Sequence, residues 1–311
     1  MKYFKPILIF FLSLIGLYYG LFYLIFTIKV QNKLLIQHFD NRIPLKKSIL
    51  SKAIAEWPIN EKFDYIFLGS SHCYRGLDPG EFSKAGLNTY NLGGSSQTPA
   101  NALPLLNKYI HQTKNVILEV YPVVFGIEPT EAYYDLLTAS NDFYLLWQSA
   151  YKIESFKAFN LLALKPLINN ELTQDTLKKC FYHRGFTTVT DSAINRKVEY
   201  KDITLNKKWL NKHFEYLNQI KELCDKENVN LILVYAPIPK KLHLVNETDY
   251  YTQLYTFLNQ NPDVTFFNYG RNHNLHDGFH FYDDDHLNAS GVKLFNHFFI
   301  KDLKHTLKLP D

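Results

Sequence analysis

"FDYIFLGSSHCYRGLDP", residues 63–79, decides how the rest of the chain reads. Its first part, "FDYIFLG" (63–69), is a short apolar run closed by glycine, the pattern of a buried strand. Two serines follow at once, where a strand gives way to a turn. Working outward, "NTYNLGG" (88–94), "NVILEVYP" (115–122), "VNLILVYAP" (229–237) and "DVTFFNYG" (263–270) repeat the pattern, two of them stopped by Pro122 and Pro237. Helical apolar periods fill the intervals at 99–112, 205–227, 248–260 and 289–307; in 205–227 Trp209, Phe214, Leu217, Ile220 and Leu223 share one face. Mostly apolar strands alternating with amphipathic helices predict an α/β fold, a flavodoxin-like three-layer sandwich around a central parallel sheet of about five strands. The expected domain covers 62–311. Within it, 123–204 is too long for a simple crossover and reads as a helical, aromatic-rich insertion with little strand signal, placed over the site.

The chain has 311 residues, 46% hydrophobic and 16% aromatic, enough to bury a large core. From Pro6 to Ile28 run 23 residues without a charge, about 34 Å as a helix, which predicts a transmembrane signal anchor over 1–29. A polar, Lys-rich stalk over 30–61 follows. Lys29, Lys33, Arg42, Lys46 and Lys47 after the span outnumber Lys2 and Lys5 before it, which by charge counting favours a cytoplasmic domain. Against this, a tail of only five residues before the span is easily retained on the inner side. The expectation is a single-pass membrane protein with an extracytoplasmic domain. With Lys2 and Lys5 set aside, 32 basic and 30 acidic residues remain, which leaves no footprint for nucleic acid. Three cysteines, Cys73, Cys180 and Cys224, form neither a disulfide framework nor a CxxC site.

In an open parallel sheet ligands bind beyond the carboxyl ends of the strands. "GSSHCYRGLDP" (69–79) follows the first strand, "GGSSQTP" (93–99) the second, and "DDDH" (283–286) comes after the fifth. A serine hydroxyl needs a base to attack at neutral pH. Asp283 and His286, three apart, fall on one side of a helical turn, so the carboxylate can hold one ring nitrogen and free the other. Asp285 is read as pointing elsewhere, and with Asp284 as solvated. The Gly93–Gly94 turn offers N–H groups to a developing oxyanion. Blander readings stand beside these: Ser70 and Ser71 could simply cap the next helix, His72 reads as a loop residue, and Arg75 as a partner of Asp78. His273, His276 and His280 with four nearby aspartates raise a metal-dependent phosphodiesterase, but a helical HExxH and thiolates are missing. No metal and no cofactor are expected.

"FLGSSH", "YNLGGSS" and "DDDHLNASG" together resemble the SGNH (GDSL-type) hydrolase superfamily, over roughly residues 63 to 307. That resemblance implies Ser71 as nucleophile within Gly69-Ser70-Ser71, and Asp283 and His286 as the Asp-x-x-His pair. Its oxyanion donors would be Ser71, Gly93 and Gly94; the Gly-x-Asn-Asp block is absent after the third strand, where the chain reads "EVYPVVFG", and "TASND" (138–142) supplies Asn141 instead. The "GSS" turn with an N-terminal anchor is most similar to the envelope-polymer branch, with alginate O-acetylation and teichoic-acid D-alanylation proteins. It implies a serine esterase or O-acyltransferase on an acylated polysaccharide or other envelope polymer, with a membrane acyltransferase as partner. A protein of this fold that binds or assembles envelope carbohydrate without catalysis is the alternative.

Overall fold

The structure, a computed structural model, describes residues 4–31, 33–35, 38, 48–153, 160, 162, 181–188 and 200–309. Helix α1 (Phe4–Thr27) is long and apolar enough to cross a membrane, and most of its side chains are exposed. Helix α2 (Ile49–Ala55) starts at Ser48, whose hydroxyl accepts from Ser51 N, and buries Leu50 and Ala53. Then the alternation begins: β1 (Phe63–Leu68), α3 (Ser71–Gly76), α4 (Pro79–Lys84), β2 (Thr89–Asn91), α5 (Pro99–Tyr109) and β3 (Thr113–Glu119).

After β3 come three helices of the predicted insertion, α6 (Pro122–Phe125), α7 (Thr130–Ala139) and α8 (Phe143–Ile153), and then two short strands, β4 (Phe181–His183) and β5 (Phe186–Thr188). The rest of the insertion at 154–159, 161, 163–180 and 189–199 lies outside the described residues. The chain continues with α9 (Lys207–Lys226), β6 (Asn230–Tyr235), α10 (Glu247–Gln260), β7 (Thr265–Asn268) and α11 (Ala289–Leu307).

The five long-range strands pair in the order β7-β6-β3-β1-β2, all parallel. This is the expected α/β sandwich, and the strand order is that of the flavodoxin-like doubly wound fold. The two-residue period of the strands divides the core. Ile66, Leu68, Val116, Leu118, Leu231 and Leu233 pack beneath α2, α5, α9 and α10, while Tyr65, Phe67, Ile117, Ile232 and Val234 face α4 and α11. Phe67, Phe82 and Phe299 are fully buried together in the second layer, each worth about 1.5–3 kcal/mol of apolar burial. Residues 289–307 become α11 because Asn288 accepts from Gly291 N at 2.9 Å at the start and Lys308 takes a left-handed conformation at the end.

The insertion was expected to carry little strand, and the β4–β5 hairpin departs from that. Its turn is Arg184-Gly185, both with positive φ, the geometry a two-residue hairpin loop demands. Gly185 is needed for a second reason: a Cβ there would sit 1.8 Å from Asn91 O. Asn91 N donates to Arg184 O at 3.0 Å, so the hairpin turn closes the exposed side of edge strand β2. Three-residue strands are too short to show a period, which is why the sequence hid them.

Candidate active site

The turn after β1 is built around Glu119, the last residue of β3. Gly69 has φ +142°, and a Cβ on it would lie 2.6 Å from Glu119 Cβ, so only glycine lets the two segments pass. Ser70 N and Ser70 Oγ both donate to Glu119 Oε2, at 3.0 and 2.7 Å. Ser70 Oγ also accepts from His72 N at 3.2 Å and thereby caps α3. The capping role that might have belonged to either serine is thus taken by Ser70, and Ser71 becomes the first residue of α3.

Ser71 Oγ lies 2.6 Å from His286 Nε2. His286 Nδ1 lies 2.9 Å from both carboxylate oxygens of Asp283. A neutral imidazole with its proton on Nδ1 leaves Nε2 to accept from the serine hydroxyl. The structure therefore brings Ser71, His286 and Asp283 into one chain of contacts across 215 residues of sequence. The loop is not the helical turn expected at 283–286. Asp283 Oδ1 accepts from His286 N at 2.8 Å and Asp285 N at 3.2 Å, so the three-residue spacing works through a side-chain-closed bend.

Asp285 does not point away. Its Oδ1 is 2.8 Å from His286 Nδ1, and its Oδ2 is 3.3 Å from both His72 Nε2 and Tyr121 Oη. Asp284 alone is exposed. Nor is His72 a loop residue: it is 4% exposed, lies 4.1 Å from the Tyr121 ring and stacks on His286 at 4.9 Å. Burial opposes a charged His286, but the bonds and charges of Asp283 and Asp285 outweigh it and push its pKa up to about 9. Both aspartates are held below the usual carboxylate range, burial being outweighed chiefly by their bonds to His286. Arg75 faces Asp283 at 3.9 Å rather than Asp78, whose carboxylate instead accepts from Gly80 N at the start of α4.

The expected oxyanion donors fare differently. Gly93 N donates to Asn91 Oδ1 at 2.9 Å and Gly94 N to Gly69 O at 3.0 Å, so neither is free for a ligand. Both glycines are buried because the turn packs against α3 and Leu50. Asn141 is exposed between α7 and α8; its neighbour Asp142 is tied by Lys108 at the end of α5, the opposite edge of the sheet. The expected donor Ser71 N, at the start of α3, and the unexpected Ser96 N have no acceptor among the described residues.

Ser71, His286, Asp285, Arg75, Ser95, Ser96 and Tyr121 line a cavity of about 320 Å³ with an apolar wall of Val123, Val124 and Ile127. Helix α7 closes its far side, with Glu131 accepting from Ser96 Oγ at 3.0 Å and Asp135 from Ser95 N at 3.1 Å. A larger cleft of about 510 Å³ between α5, α8 and α9, lined by Trp147, Tyr151 and Leu223, holds no nucleophile beside a base. His72, Asp285 and His286 offer potential metal ligands within 4.8 Å of one another. The two imidazoles are stacked, with their planes 25° apart, so their in-plane lone pairs do not converge on one ion. His273 Nε2 is engaged by Ile238 O.

No family model matches the chain, and no curated protein matches it. Solved structures do. One described as an acylhydrolase from Bacteroides fragilis shares 12% identity over 83% of this chain and 95% of its own, with a TM-score of 0.42. A GDSL-like lipase from Bacteroides thetaiotaomicron shares 10% over 82% and 95%, with a TM-score of 0.40. A structure described as a platelet activating factor from Streptococcus pneumonia shares 10% over 86% and 97%, with a TM-score of 0.43. At this level the likeness is one of overall shape, and the chemistry rests on the side chains of this chain.

Sequence reasoning placed Asp285 and His72 away from the site and missed Tyr121 and the α7 carboxylates. Asp135 has a consequence for stability. Burial raises its carboxyl to about 7. Unfolded, it would ionise near its ordinary 3.8, so the folded chain holds a proton that the unfolded chain releases. Stability should therefore fall as pH rises from about 4 to 7 on account of this group, and stay level above. Asp135→Asn keeps an acceptor for Ser95 N and removes the titration. Urea unfolding of the detergent-solubilised chain at pH 5 and 8 should show a smaller pH difference for the variant than for the parent; equal differences would contradict the assignment.

Proposed function

We propose that this chain is a membrane-anchored serine esterase or O-acyltransferase, of the SGNH type its motifs resemble, acting on an esterified cell-envelope glycan or related polymer. The observation that carries the reading is the 2.6 Å contact between Ser71 Oγ and His286 Nε2, backed by carboxylate on the far ring nitrogen. A serine so placed has a base for its proton and a cavity in front of it.

In this mechanism Ser71 Oγ attacks the ester carbonyl while His286 Nε2 takes its proton. The carbonyl electrons move onto oxygen, and the oxyanion is met by Ser71 N–H and by the Ser96 N–H of the facing turn, each such donor lowering the barrier by about 3 kcal/mol. The intermediate collapses, the C–O bond to the alcohol breaks, and His286 returns its proton to the departing oxygen. The acyl group is left on Ser71. Water or a sugar hydroxyl then gives its proton to His286 and attacks the acyl carbonyl, and as the bond from that carbon to Ser71 Oγ breaks His286 returns the proton to Oγ, giving hydrolysis or transfer. Val123, Val124 and Ile127 suit a short acyl chain. Helix α1 as anchor, an extracytoplasmic domain and a membrane acyltransferase that loads the acyl group complete the proposal. Tethering supports it, because it raises the enzyme's concentration at a polymer surface.

Hydrolysis of p-nitrophenyl acetate by the full chain in micelles should fall at least about 1000-fold in Ser71→Ala. Because His286 must be neutral to accept a proton and its pKa is raised to about 9, kcat/KM should climb with pH through an ionisation near that value. Activity that survives Ser71→Ala, or a profile flat from pH 7 to 10, would count against the mechanism. For topology, an alkaline phosphatase fused at the carboxyl terminus should be active; a silent phosphatase beside a fluorescent cytoplasmic reporter would place the domain inside.

A further inference from the structure

We infer that Asp285 is a second positioning carboxylate for His286, and that it ties the imidazole to His72 and Tyr121 so that base and nucleophile are held in register across two parts of the chain. This deepens the reading of Ser71 and His286 as nucleophile and base, and rests on it.

The two carboxylates have different anchors. Asp283 holds the ring while its Oδ1 also accepts from His286 N and Asp285 N, all within one bend. It fixes the imidazole relative to its own loop. Asp285 reaches the same Nδ1 at 2.8 Å, but its other oxygen contacts His72 Nε2 and Tyr121 Oη, both at 3.3 Å. His72 belongs to α3, the helix that Ser71 begins, and Tyr121 follows β3; they are 4% and 3% exposed. Asp285 therefore fixes the loop relative to the nucleophile. The stacking of His72 on His286 adds a face contact that no partner of Asp283 supplies. A base carried on a loop without this link could keep its Asp283 bond and still swing away from Ser71.

The charged and titratable groups around His286 come from every neighbouring segment: Asp283 and Asp285 from its loop, His72 and Arg75 from α3, Tyr121 and Glu119 from the end of β3, and Glu131 across the cavity. Of these, Asp283 and Asp285 are the ones in contact with the ring nitrogen that faces away from Ser71.

The test uses the full chain in micelles with ¹⁵N-labelled histidine, the His286 signal being assigned by its loss in His286→Asn. Asp285→Asn should move the His286 titration down by roughly one unit, as loss of an adjacent opposite charge requires, and should also shift the His72 signal; Asp283→Asn should move His286 alone. In ester hydrolysis, Asp285→Asn should lower kcat at least tenfold with KM within about twofold, and Asp285→Glu should recover part of it. An unmoved His286 titration in Asp285→Asn would overturn the inference. So would full activity in that variant beside a dead Asp283→Asn. The expected NMR shifts in a protein whose ester hydrolysis is indifferent to Ser71→Ala would support the Asp285 link while removing the esterase reading.

Discussion

The carboxylate of Glu119 is the constraint on which the site depends. It ends β3 fully within the protein, 2% exposed, where a charge is costly, and burial pushes its pKa up. Its Oε2 takes two hydrogen bonds from Ser70. Two donors to one buried oxygen lock the turn after β1 against the end of β3. That lock makes Ser70 the cap and Ser71 the first residue of α3, which leaves Ser71 with an open N–H and a hydroxyl facing His286. Gly69 is part of the same constraint, since any Cβ would part the strands at this point.

The second constraint runs from the other end of the chain. α11 packs Phe295, Phe299 and Leu303 beneath the sheet, and the bend 283–286 precedes it closely. A bridge between Phe281 and Leu287 closes that bend. Packing of a helix against the sheet thereby brings the base loop to the carboxyl edge, and the aspartates do the fine placement. From the insertion, α7 supplies the third wall by holding the Ser95–Ser96 turn with Glu131 and Asp135.

Much of this was legible in the sequence. Buried strands such as Phe63–Leu68 and Asn230–Tyr235 are continuous apolar runs with hard stops, and α11 begins and ends where its period does. The carboxyl-edge rule then gathered the serine turn and the Asp283–His286 pair, and the family resemblance singled out Ser71 within that turn. Asp285 was illegible because the loop was taken as helical; in a bend, residues one and three positions from a histidine can both reach its ring. Of the expected oxyanion donors, Ser71 N stays open while the N–H groups of Gly93 and Gly94 are bonded within the protein, because glycine signals a turn but not which of its N–H groups remain open. Asn141 lies away from the cavity for a topological reason, since Lys108 holds its loop at the far edge of the sheet through Asp142. His72 has no sequence signature: its partners lie 49 and 213 residues away.

The central claim is that Ser71, and no other serine of the cavity, is the nucleophile. The direct measurement is to react the full chain with a fluorophosphonate, digest it and locate the adduct by mass spectrometry. The account predicts a single adduct on Ser71, absent in Ser71→Ala and much slowed in His286→Asn, with Ser70 untouched because Glu119 holds its hydroxyl. An adduct on Ser70, Ser95 or Ser96, or no adduct at all at pH 9, would contradict it.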